Sequence, residues 1–186
     1  MKNKQLRALC ESAIFTALAL ALSYLEIPVG VAFGGFGGSL SMVMIPLVLC
    51  AIRWGLGWGV GAGLAFGTLK YFFSSGWAIT WESMLLDYSL AYMMVGLSGL
   101  FRGKSRSAWL AALVGCAGRF VIHFISGVTI YAEYVSPIFG WNGSSSTIYS
   151  VLYNGSYMLP NTVITVLAVF LLQRPLGKYL RGEDLR

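Results

Sequence analysis

Apolar runs of helix length fill most of this chain, and short breaks rich in polar residues or glycine separate them. The runs occupy about 6–25, 42–52, 55–73, 84–101, 108–131 and 148–172. A helix needs ~20 predominantly apolar residues to cross a bilayer. The pattern therefore predicts an all-α integral membrane protein, a single transmembrane domain over residues 1–186 built as a six-helix bundle. The second run is short and ends at Arg53. The breaks hold Pro28, Gly30 and Gly34-Gly35-Phe36-Gly37-Gly38, then 74–82, then 132–147 with Pro137, Gly140, Trp141 and Gly143. Pro160 falls inside the sixth run, where neighbouring helices can satisfy the carbonyl it frees. No internal repeat is visible, which argues against an inverted-repeat transporter.

Charge orients this pattern. Eleven of the 13 Lys and Arg residues form four clusters: Lys2, Lys4 and Arg7; Arg53; Arg102, Lys104 and Arg106; and Arg174, Lys178, Arg181 and Arg186. They occupy every second break, and the breaks between them carry Glu26, Glu82 and Glu133. Positive loops stay in the cytoplasm, so both termini should be cytoplasmic and the helix number even. The composition, 57% hydrophobic and 11% charged, fits a surface facing lipid, since soluble domains carry about 25% charged residues. The net charge of +6 would suggest nucleic acid in a soluble protein. Here it belongs to loops beside anionic membrane lipid, and no nucleic-acid partner is expected. The first run has the look of a signal peptide, but Glu11 interrupts it and no clean cleavage site precedes Glu26, so it reads as a retained helix. Cys10, Cys50 and Cys116 lie in apolar runs or at their ends with no CxxC spacing and read as buried thiols.

Small residues recur every four positions. Gly55, Gly59, Gly63 and Gly67 put a smooth stripe on the third helix, and Ala13, Ala17 and Ala21 do so on the first. Such stripes let backbones approach closely, and internal packing is the first expectation for both.

Ionisable groups inside a membrane cost ~2.5–3.5 kcal/mol or more each, so Lys70, Asp87, Arg119 and His123 require a reason. Lys70, near the end of its run, can snorkel to the headgroups. Arg119 and His123 are four apart and share a helix face. Two readings follow. Asp87 and Arg119 neutralise each other as a structural tether, or the group lines a pocket in the outer half of the bundle. Tyr131 lies eight residues past His123 on nearly the same face, and Tyr149, Tyr153, Asn154 and Tyr157 open the sixth helix. An interfacial belt explains part of this aromatic content, but neither Asn154 nor His123. A carboxylate among aromatic rings suits an organic cation, held by charge and by cation–π attraction.

Catalytic signatures are missing. The segment SGLFRGKS at Ser98–Ser105 ends like a phosphate loop but lacks the first glycine and follows a membrane helix rather than a strand. There is no HExxH and no GxSxG, and one histidine excludes a multi-His metal site within the chain. The expectation is a binding or transport protein without enzymatic activity, cofactor or metal.

The stretches GGSLSMVMIPLVLCAIRWG at 37–55, LLDYSLAYMMVGLSGLF at 85–101, RFVIHFISG at 119–127 and IYSVLYNGSYMLP at 148–160 carry a resemblance covering nearly the whole chain. The sequence resembles the substrate-binding S components of energy-coupling factor (ECF) vitamin transporters, most closely the thiamine-specific branch. The resemblance implies a multi-pass prokaryotic plasma-membrane protein that binds thiamine near its outer face. It also implies partners: a transmembrane coupling subunit and two ATPases, with Ala13 and Ala17 at the docking position on the first helix. Asp87 would face the thiazolium, and Tyr88, Arg119, His123, Tyr131, Tyr149 and Asn154 match other pocket positions. Tyr131 stands where a Trp stacks in better-known members. Gly37 and Ser41 stand where some members have a pocket Trp and Glu, which makes Ser41 a candidate contact and Phe33 or Phe36 a candidate replacement ring. The alternatives within the class are a hydroxymethylpyrimidine or pyridoxine-like ligand, or a solitary proton-coupled thiamine transporter.

Overall fold

The computed structural model describes residues 2–30, 37–74, 76 and 78–185; Phe33 and Phe36 lie outside them. The chain is mostly helical. Its longer helices are α1 (Lys2–Ser23), α2 (Met44–Trp54), α3 (Leu56–Phe73), α4 (Trp81–Phe101), α5 (Ala108–Thr129) and α6 (Ser146–Leu172), and a single turn, α7 (Gly177–Leu180), follows. Among the described residues, α1, α4, α5 and α6 are long and apolar enough to cross a membrane. The 11-residue α2 is too short to do so at 1.5 Å per residue. A two-residue hairpin, β1 (Ile27–Pro28) with β2 (Ser39–Leu40), pairs Ile27 with Leu40 between α1 and α2.

The short helix is the centre of the bundle. Every residue of α2 except Ile45 is buried. Met44, Leu47, Val48 and Ile52 pack against Phe66 of α3, Tyr92 and Val95 of α4, Ala111 of α5 and Val169 of α6. The chain turns sharply from α2 into α3 at Gly55, whose φ of 92° is open to glycine but strained for other residues.

The glycine stripe brings α3 against α4. A methyl group at Gly63 would overlap the Tyr92 carbonyl, and one at Gly67 the Tyr88 carbonyl. From the other side, Gly96 and Gly99 of α4 press on the α3 backbone at Val60 and Leu56. Gly57 and Gly61 face open space, so only one glycine face is used. The alanine stripe behaves differently: Ala13 and Ala17 are exposed on the outer side of α1. Cys50 and Cys116 are buried as expected, but Cys10 is exposed because its position falls on that same outer side.

At one end of the bundle, Glu11 is the hub of an ionic cluster rather than a mere break in an apolar run. It accepts from Arg53 Nε and Nη2 (2.5 and 3.1 Å), Arg7 Nε (2.7 Å), Trp54 Nε1 (3.0 Å) and the Tyr179 hydroxyl (2.7 Å). The Arg53 side chain is fully buried. It also donates to both carboxylate oxygens of Asp184 (2.9 Å each) and to the Tyr179 carbonyl, and lies 3.5 Å over the Tyr179 ring. The cluster ties the C-terminal segment to α1 and α2.

Candidate functional site

At the opposite end a cavity of about 260 Å³ opens between the hairpin and α3–α6. The backbone of α4 shapes its floor. Thr80 caps the helix by accepting from the Ser83 amide, and the Ser83 hydroxyl accepts in turn from the Thr80 amide. The helix then widens to a π-turn over Leu85–Leu90 before resuming α geometry. Such turns are frequent at functional sites. This one carries Asp87 and Tyr88, and both line the cavity.

Asp87 Oδ1 lies 3.0 Å from His123 Nδ1, and Oδ2 accepts from the Ser126 hydroxyl at 2.9 Å. Arg119 Nε donates to His123 Nε2 at 3.2 Å. A ring nitrogen that accepts from a guanidinium carries no proton, so the network assigns His123 as the neutral tautomer with its proton on Nδ1, donated to Asp87. Asp87 and Arg119 are therefore relayed through an uncharged imidazole. The Arg119 guanidinium lies 4.1 Å over the Tyr92 ring. Its Nη1 is buried without a hydrogen-bond partner among the described residues. An unpaired buried donor costs about 1–3 kcal/mol.

Aromatic side chains form the wall. Tyr149 and Tyr153 stack with centroids 5.6 Å apart, and Tyr157 sets its edge to Tyr153 at 5.7 Å. The Tyr153 hydroxyl bonds both the N–H and the carbonyl of Gly37, which pins the end of the hairpin loop over the wall. Asn154 donates to the His123 carbonyl at 3.2 Å and accepts from the Tyr157 hydroxyl at 2.6 Å, locking α5 to α6. Tyr131 lines the mouth just past α5, where burial pushes its phenol up to about 12 and keeps it protonated at neutral pH.

Asp87, Tyr88, Arg119, His123, Tyr131, Tyr149 and Asn154 thus line one cavity. Ser41 does not: its amide donates to Asn161 Oδ1 at 2.8 Å, and Asn161 Nδ2 donates to the Ser39 carbonyl at 2.7 Å. This pairing anchors the hairpin to α6. Lys70 also departs from expectation. It does not snorkel to a headgroup but pairs with Glu26 inside the cavity, with 9% of its side chain exposed. Glu26 in turn accepts from the Ser39 hydroxyl at 2.5 Å. Sequence reasoning missed Glu26, Ser126 and Tyr92 as cavity residues. Only Ser126 carried a signal, three residues past His123 on the same helical face.

The family model described as thiamine transporter protein (Thia_YuaJ) matches residues 9–180. The chain is 30% identical to the thiamine transporter ThiT of Bacillus subtilis, over 98% of each chain. It is 29% identical to the thiamine transporter ThiT of Lacticaseibacillus paracasei, over 90% of this chain and 87% of that one. A solved structure of ThiT from Listeria monocytogenes superposes with a TM-score of 0.81 at 27% identity, covering 95% of this chain and 98% of that one. Likeness along nearly the full length, in sequence and in fold, places the chain in the thiamine transporter family, a family of transport proteins and not of enzymes.

Proposed function

We propose that this chain is the thiamine-binding S component of an ATP-driven ECF importer, and that the cavity around Asp87 is its vitamin site. One observation carries the reading. Asp87 bonds a neutral imidazole and a hydroxyl, with no Lys or Arg in contact among the described residues, whereas the other cavity carboxylate, Glu26, is neutralised by Lys70. Asp87 is thus the charge left to meet a cation, and thiamine carries a fixed positive charge in its thiazolium ring. The tyrosine wall adds cation–π and stacking attraction, each ~0.5–2 kcal/mol. Arg119 Nη1 offers a donor to an acceptor atom of the vitamin.

In this reading the bundle makes six passes of the plasma membrane with both termini cytoplasmic, the hairpin and the short α2 together making one of them; the cavity opens outward, and the Glu11–Arg53 end faces the cytoplasm. The transmembrane coupling subunit docks on Ala13 and Ala17, and two ATPases drive release. The exposure of both alanines supports that surface. Thiamine titration of the purified chain, followed by tryptophan fluorescence, tests the binding half. Saturable binding is expected, weakened about ten- to hundredfold in Asp87→Asn through loss of ~1.5–3 kcal/mol of charge-assisted interaction. Equal affinity of the variant would reject Asp87 as the cation's partner. Uptake by cells with and without the coupling module tests the other half, and uptake without it would favour a solitary transporter.

A further inference from the structure

The bundle end opposite the cavity carries a second cleft, of about 540 Å³, between the turn before α5 and the turn after α6. Arg106, Arg174, Lys178 and Arg181 line it together with Ser105 and Gln173. Arg181 is held in place by Ser105 Oγ (2.8 Å) and Glu183 (2.6 Å). The side chains of Arg106, Arg174 and Lys178 have no hydrogen-bond or ion-pair partner among the described residues. Three unpaired cations and a fourth braced at the edge of one cleft repel one another unless an anion enters. Arginine forks suit a phosphate, which accepts paired N–H donors.

Position narrows the anion. The cleft lies where α5 begins and α6 ends, and both are helices long and apolar enough to cross a membrane. That is the level of lipid headgroups. In the first turn of α5 and the last turn of α6, exposed apolar side chains lie three or four residues from Arg106 and Arg174: Trp109 and Leu110 on α5, Phe170 and Leu171 on α6. A soluble phosphate has no use for such a surface, whereas a phospholipid has acyl chains to lay on it, and a Trp at this depth suits the interface. We propose that the cleft is a binding site for one anionic phospholipid, with its phosphate among Arg106, Arg174 and Lys178 and its acyl chains along the exposed ends of α5 and α6. A lipid held there clamps the loop after α4 to the turn after α6. The proposal is independent of the vitamin reading.

The test uses the full chain purified in detergent and three additives: dioleoylphosphatidylglycerol, dioleoylphosphatidylcholine and sodium phosphate. Native mass spectrometry should retain one phosphatidylglycerol per chain, and the same lipid should raise the melting temperature. Phosphatidylcholine should do neither. Each cation neutralised should weaken retention about fivefold, and the triple variant R106Q/R174Q/K178Q about a hundredfold. The single variants keep the test open if the triple variant fails to fold, and far-UV circular dichroism checks the fold. Undiminished retention by the folded variants overturns the site. Equal retention of phosphatidylcholine overturns its charge selectivity. Protection by sodium phosphate matching that of phosphatidylglycerol, with no lipid retained, overturns the lipid and leaves a soluble anion.

Discussion

The two ends of this bundle both bury an arginine, and they treat it differently. Arg53 finds two carboxylates, a carbonyl and two aromatic faces. Arg119 finds one imidazole nitrogen and one ring, and leaves Nη1 with no bond among the described residues. The first network is closed and holds the chain together. The second borders a cavity and leaves one buried donor unspent. Buried polar groups are almost always paired in native proteins, so the one left unpaired is the informative one.

The largest expected effect lies at the closed end. Arg53→Gln removes the buried partner that Glu11 and Asp184 share. Breaking a buried pair from one side costs about 3–5 kcal/mol, and a thermal melt in detergent should fall accordingly. Arg119→Gln should act the other way round. It should leave the ligand-free melt close to wild type, because that arginine is only partly satisfied. It should weaken thiamine binding by about 1.5–3 kcal/mol, the range for a hydrogen bond to a charged group. A stability loss in Arg119→Gln as large as that in Arg53→Gln would erase the distinction between the two ends.

The third substitution is smaller and joins the ends. Gly63 sits midway along α3 with its face on the Tyr92 carbonyl. Gly63→Ala must push α3 and α4 apart, costing about 1–3 kcal/mol. Tyr92 flanks the cavity, so thiamine affinity should fall together with the melting temperature. Affinity retained at a lowered melting temperature would mean that the cavity does not depend on this helix contact.

Polar residues stranded in apolar runs made part of the cavity legible in the sequence. Asp87, Arg119, His123 and Asn154 stand out because a membrane span has no other use for them. Glu26 and Lys70 did not stand out as a pair. They are 44 residues apart, and each has a local explanation, a loop acid and a snorkelling lysine, that fails only once α1 packs on α3. Ser41 looked like a ligand contact by family position, yet its amide is spent on Asn161. The π-turn under Asp87 has no local sequence signature, because it depends on how α4 meets its neighbours. Spacing revealed the glycine stripe, but not that the alanine stripe faces outward. Both stripes satisfy the same four-residue rule, and only the packed bundle tells inside from outside.

The smallest effect separates charge from shape at the closed end. Asp184 is held by Arg53 and, on its exposed side, by Arg7. The hydrogen bonds from Arg53 lower its carboxyl from an ordinary 3.8 to about 2. A carboxyl depressed by folding contributes stability above its unfolded value, and loses that contribution as pH falls through its folded one. Asp184 should therefore stabilise the chain fully above about pH 4 and cease to do so near pH 2. Its side chain is 37% exposed, and solvent and salt screen the pair, so the contribution should stay under about 1 kcal/mol. Glu11 shares the same guanidinium groups but is present in both proteins when wild type is compared with Asp184→Asn. The difference in melting temperature between the two should be small at pH 7, narrow between pH 4 and pH 2, and shrink with added salt at pH 7. No gap at any pH or salt concentration would mean that Asp184 holds the C-terminal segment by its shape and neutral hydrogen bonds, as an asparagine would, and that Glu11 alone supplies the charge that closes this end.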